Sequence, residues 1–352
     1  MTIKMHVVFW LVCVSLIALF VLIFNDVLTP FVIGIAVAYL LNPLVIRLET
    51  LGTSRTLATL LILAVFVLLV IGLLILVVPP LYRELAQLVA SLPDYLQSVS
   101  DRLQPYLSRV EAEVDGANLD ERIQGVVQNN LSNAFTLSSS VLGSLLSGGR
   151  ALVSFLSVLF ITPLVAFFMM REWPAVTKAV DDLIPRHNHD EIKDLLEKID
   201  TKIAGFIRGQ FLVALSLGLI YALALRIAGL EYGILVGLLA GLLSIIPLFG
   251  SIVGLAASVI LAWLQTSDLV FVGIIASIFV VGQVLEGNVI SPKLLGGSVG
   301  LHPLWILFSI MAGASLFGIV GMMISVPVAA TAGVLLQFAK ERYQDSSYYK
   351  AS

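Results

Sequence analysis

The sequence predicts an all-α fold, that of a polytopic helical membrane protein with a small extracytoplasmic region of amphipathic helices. Three observations predict it. Hydrophobic residues make up 59% of the 352, and charged residues only 12%, about half the roughly 25% of an ordinary soluble domain. The apolar residues fall in runs of about 17 to 22, the length at which an α-helix crosses a bilayer. Between two such runs the apolar spacing changes to three and four residues, the period of a helix with one wet face.

Residues 1–80 hold three spans. Val7–Phe24 follows a basic start at Lys4. It exceeds a signal-peptide core and lacks a small-x-small cleavage site, so it reads as a retained span. Val27–Ile46 carries Pro30 in its first turn, where proline is tolerated. Leu57–Val78 ends at Pro79–Pro80.

Residues 81–149 read as the extracytoplasmic amphipathic region, with Leu81, Leu85, Leu88 and Leu92 on one face and breaks at Pro93 and Pro105. Residues 150–171 form the fourth span. Residues 172–208 are a cytoplasmic helical segment, opened by a capping box at Asn188 and Glu191, and the same helix runs on into a fifth span. Residues 209–340 form a C-terminal core. One ordinary span, Leu269–Val284, separates two apolar blocks, 232–264 and 304–339. The first is broken at Pro247 and Gly250, the second at Gly318–Gly321 and again at Pro327. Each folds as two helices with a short tip. The total is six full spans plus two broken or re-entrant hairpins, or about eight to ten spans. Residues 341–352 form a cytoplasmic tail.

Counting Lys and Arg with both termini inside places fourteen of the twenty on the inner side, as the positive-inside rule requires. On that count the first hairpin enters from outside and the second from inside, the arrangement of an inverted repeat around a midplane site. The two tips would then meet near the bilayer centre.

The stretch Gln283–Pro303 concentrates the chemistry. Gln283, Glu286 and Asn288 lie behind an apolar run, Pro292 and the glycines let the backbone leave helix beside them, and His302 closes the stretch as a further pathway candidate. An ionisable group at membrane depth is a functional hypothesis by default. With Gln210 and the hairpin positions Pro247, Gly250, Gly318 and Gly321, these residues define the expected substrate or ion pathway. The glycines spaced four apart at Gly229–Gly233–Gly237–Gly241 and Gly250–Gly254 read as close helix packing.

Other classes are excluded or unsupported. One cysteine, Cys13, excludes an internal disulfide framework and a cysteine zinc site. His187 and His189 lack a third metal ligand. No phosphate loop or His-Glu-x-x-His helix occurs, and the chain reads as a non-enzyme without a cofactor. No basic patch points to nucleic acid. The expected partners are the lipid bilayer and a small-molecule or ion substrate.

Arg208-Gly209-Gln210, Gly241 through Pro247-Leu248-Phe249-Gly250, Leu285-Glu286-Gly287, Pro292, Val299-Gly300-Leu301-His302-Pro303-Leu304, Leu316-Phe317-Gly318 with Gly321, and Val326-Pro327 form a series. In order and spacing it resembles the autoinducer-2 exporter family, also called PerM-like permeases, over nearly the whole chain. The resemblance implies a multi-pass protein of the bacterial inner membrane, a homo-oligomer, and export of a small polar molecule such as a quorum-sensing signal. Relatives associated with sodium–proton exchange imply a second reading, for which Asp26, Glu231, Asp268 and Glu286 are the candidate carboxylates. A third is a non-transporting scaffold that binds a partner through residues 81–149.

Overall fold

The computed structural model describes residues 25–113, 149–296 and 300–350. The expected first span, residues 114–148 of the extracytoplasmic region, and Gly297–Val299 lie outside them. Helices account for nearly all described residues, and no strand occurs among them. Among the described residues, seven helices are long and apolar enough to cross a membrane, and large apolar side chains such as Leu68, Ile75 and Leu76 stand exposed on them. The chain is a multi-pass helical membrane protein.

The helices in order are α1 (Asn25–Thr50), α2 (Arg55–Glu113), α3 (Gly149–Leu183), α4 (His189–Ile227), α5 (Gly233–Leu243), α6 (Phe249–Thr266), α7 (Leu269–Leu285), α8 (Ser291–Leu294), α9 (Pro303–Asp345) and α10 (Ser347–Lys350). Several expectations are corrected here. The backbone of α2 stays helical through Pro79–Pro80, Pro93 and Pro105, and α3 passes Arg171–Glu172 and Pro174. A proline removes one hydrogen bond and crowds the carbonyl four residues back, at about 3 kcal/mol. The turns on either side keep their own bonds. Beyond Pro80, Leu81, Leu85 and Leu88 also continue at helical spacing. α4 carries the charged segment into the apolar span without a break, as its periodicity predicts. Glu191 differs from its expected capping role, because its carboxylate pairs with Arg342.

The chain forms two compact units. One comprises residues up to Leu69, Leu156–Val213 and Gly287 onward; the other comprises Val70–Phe155 and Ala214–Glu286.

In the first unit, Ala38, Leu41 and Val45 of α1, Ala58 and Leu63 of α2, and Ala166 and Met170 of α3 form a common core. Gly34 permits the approach of α1 to α3, since a Cβ there would stand 2.9 Å from the Thr162 carbonyl oxygen. α9 is a hairpin. Phe317 and Gly318 leave helical geometry, and the backbones of Gly313 and Gly321 touch across the two arms. Pro327 does not break the second arm, which stays helical around it.

In the second unit, α5 and α6 form the other hairpin, joined by the turn 244–248 and packed with α7. Its base is closed by Gln265, whose Oε1 accepts from Glu231 N and whose Nε2 donates to Gly229 O, each at 3.0 Å. α5 has eleven residues and rises about 16 Å, about half of a hydrocarbon core of roughly 30 Å. Among the described residues three non-glycines, Tyr232, Leu248 and Ser267, are left-handed. They mark the start, tip and end of this hairpin. Such residues are held against a preference of about 1–2 kcal/mol and cluster where a fold needs a fixed corner. The glycine series packs helix on helix. Gly233, Gly237 and Gly241 of α5 lie against Leu225, Ala222 and Gly218 of α4.

Candidate functional site around Glu286

α7 is apolar but for Ser277 until its last turn, where Gln283 precedes Leu285 and Glu286. Pro292 has no N–H for the Asn288 carbonyl and its ring crowds that oxygen. The backbone widens there into a π-helical turn, Glu286–Ile290, a geometry that recurs at functional sites. The Glu286 side chain turns inward and is 8% exposed, the only buried carboxylate among the described residues. Gln283 Nε2 donates to its Oε2 at 2.9 Å.

Tyr221 of α4 is fully buried and packs against Gly282, one helical turn before Glu286. Its ring stacks on Phe279 at 4.5 Å between centroids, and Gly282 leaves the space that the ring occupies. Its hydroxyl is 3.4 Å from Ser251 Oγ on α6. Ser244, at the hairpin tip, is buried and donates to the Ala240 carbonyl at 2.8 Å. Ser258 on α6 is also buried, and its hydroxyl has no partner among the described residues. The second unit thus holds several polar groups from α4, the hairpin tip, α6 and α7 among apolar helices. Such groups can take up a proton, pair with a cation or hydrogen-bond a polar solute. No group of three His, Cys, Asp or Glu among the described residues is placed to hold a metal ion.

Residues 11–341 match the family described as AI-2E family transporter. The chain belongs to the AI-2E transporter family. YrrI of Bacillus subtilis is 29% identical over 320 residues, covering 90% of this chain and 88% of YrrI. PerM of Escherichia coli K12 is 28% identical over 306 residues, covering 87% of this chain and 85% of PerM. The AI-2 transport protein TqsA of E. coli K12 is 25% identical over 321 residues, covering 89% of this chain and 86% of TqsA.

The residues of this AI-2E transporter that the sequence singles out fall in several places. In the second unit, Pro247 lies in the hairpin tip, and Gly250 sits in the first turn of α6 against the Ala240 carbonyl and Ser244. In the first unit, Gln210 is buried on α4, beside Gly209, whose Cβ position is 2.7 Å from the Leu294 carbonyl. Asn288 and Pro292 are exposed on the π-helical turn and α8. His302 caps α9, its Nδ1 accepting from Leu304 N at 3.3 Å. Gly318, with φ 56°, is the second hairpin's tip, and Gly321 is buried against Gly313. His302 and Gly318 therefore stand at opposite ends of one arm. Asp268 caps α7 by accepting from Val270 N at 2.9 Å, and Glu231 is exposed. Tyr221, Ser244 and Ser251 were not singled out by sequence. Their one signal is a hydroxyl inside a strongly apolar helix or at its break.

Proposed function

We propose that this AI-2E transporter is a secondary exporter of a small polar organic solute across the bacterial inner membrane, with Glu286 and Gln283 on the solute or coupling-ion path. One observation carries the reading: the only buried carboxylate among the described residues stands in a π-helical turn, bonded to Gln283 and one helical turn from Gly282, against which Tyr221 packs. Burying an acid among apolar helices is costly, and sequences keep such a group where it does work. The name of TqsA supports an autoinducer-2-like cargo, and the transporter works as a homo-oligomer. Purified protein in proteoliposomes tests this, with the autoinducer-2 furanone in a panel of small solutes under imposed proton or sodium gradients. Gradient-driven movement of an organic solute is expected. Sodium–proton exchange without organic flux would replace the reading with antiport, and no flux at all would favour the scaffold.

The proposal includes inside termini and a first hairpin that re-enters the membrane, which the short α5 supports. In a Cys13→Ser background, Asp115→Cys is expected to react with an impermeant thiol reagent from outside and Asp190→Cys from inside. Phe249→Cys, at the tip, is expected to be shielded from the inside and protected by cargo. Labelling of the first two from one side would reverse the orientation argument. Fast inside labelling of Phe249→Cys, insensitive to cargo, would make the hairpin fully spanning.

A further inference from the structure

Two helices of the first unit carry an internal proline four residues after a carbonyl that an arginine meets. In α1, Pro43 follows Tyr39 at that spacing. Proline has no N–H, so the Tyr39 carbonyl lacks its usual intrahelical donor. Arg208 of α4 supplies one, Nε donating to Tyr39 O at 3.0 Å. In α3, Pro174 stands in the same relation to Met170. Arg55, at the start of α2, donates from Nε to Met170 O at 2.9 Å. A buried carbonyl left unpaired is costly, and membrane helices keep prolines where a neighbouring helix satisfies the freed group.

We propose that Arg208 and Arg55 form a paired brace, two positioning residues that each lock one proline-interrupted helix to a partner helix through the orphaned carbonyl. Further bonds converge on the same place. The Tyr39 hydroxyl donates to Asp200 Oδ1 at 2.9 Å, so Tyr39 is tied to α4 at both its ends. Arg55 also donates to Glu49 at 3.0 Å and to Asn42 at 3.2 Å. Tyr39, Asn42, Met170, Asp200 and Arg208 line one cavity of about 30 Å³, room for about two waters and for no organic solute. That size sets the cluster apart from a cargo site. The arginine of the Arg208-Gly209-Gln210 motif is committed to backbone, and the helix it anchors is the one that carries Tyr221.

Double-mutant cycles on the full chain in detergent test the brace, read as the midpoint of thermal unfolding. Arg208→Met is expected to lower the midpoint by several degrees. Pro43→Ala, which returns an N–H to the Tyr39 carbonyl, is expected to recover most of that loss, and Pro174→Ala none of it. Arg55→Met is expected to show the reverse selectivity. Purely additive cycles, or equal rescue by either proline variant, would overturn the proposal. If an arginine variant alone yields no folded protein, folded yield of the matched double against the mismatched double becomes the readout, and failure of both doubles also overturns it.

Discussion

Glu286→Gln is expected to cut solute flux in proteoliposomes by roughly 10- to 100-fold while folded yield and membrane insertion hold. The size follows from the bond that is lost. A hydrogen bond to a charged group contributes about 1.5–3 kcal/mol, and about 1.4 kcal/mol is a factor of ten. If the carboxylate engages cargo or coupling ion only during the transport step, that difference appears in the rate. Stability moves the other way. Glutamine keeps the shape and can still meet Gln283, and removing a buried charge is neutral or stabilising. The melting midpoint is therefore expected to stay level or rise. A purely structural carboxylate gives the opposite pattern, lower stability with flux per folded molecule intact, and that result would remove Glu286 from the pathway. Glu172→Gln serves as control, since Glu172 is exposed and pairs with its neighbour Arg171.

Much of this architecture was legible in the chain. Hydropathy placed the spans, because lipid imposes length and composition on any helix that crosses it. The tips at Pro247 and Gly318 were legible because proline and glycine interrupt apolar helical runs, although the left-handed residue of the first tip is Leu248. Glu286 stood out for the same reason that makes it expensive. The fate of the other prolines was not legible. Whether Pro79 or Pro174 ends a helix depends on what the rest of the fold offers the freed carbonyl, and for Pro43 and Pro174 the answer lies in Arg208 and Arg55, far away in sequence. Tyr221 and Ser251 were invisible for a related reason, since they meet only once α4 and α6 are packed. His302 reads as a pathway candidate and Asp268 as a candidate carboxylate for ion exchange, and each also caps a helix. The pair His302-Pro303, a capping side chain followed by proline at the first helical position, already carried that alternative signal.

Gly241→Ala is expected to collapse the yield of folded protein, while Gly273→Ala is expected to leave it unchanged or raise it. Gly241 of α5 faces Gly218 of α4 backbone to backbone, and a Cβ at 241 would fall on the Cα and N of Gly218. Those atoms belong to a helix and cannot step aside as a side chain end can. Overpacking costs about 1–3 kcal/mol where side chains can adjust, and a rigid backbone neighbour puts this case at the upper end or beyond. Gly218→Ala is a sharper comparison, because a Cβ there would meet Gly241 Cα at 3.3 Å. It should cost visibly less, although the same two helices are in contact. Gly273 has nothing within 4 Å of its Cβ position, and alanine gains up to about 1 kcal/mol over glycine in a helix. The measurement is the monodisperse fraction on size exclusion after a fixed heating step, run on all three variants and the parent. The expected order is Gly273→Ala at or above parent, Gly218→Ala below it, and Gly241→Ala lowest. Equal behaviour of Gly241→Ala and Gly273→Ala would mean that α4 and α5 do not touch at this crossing. The glycine series would then set neither the spacing of the hairpin from α4 nor the position of Tyr221 against Phe279 and Gly282.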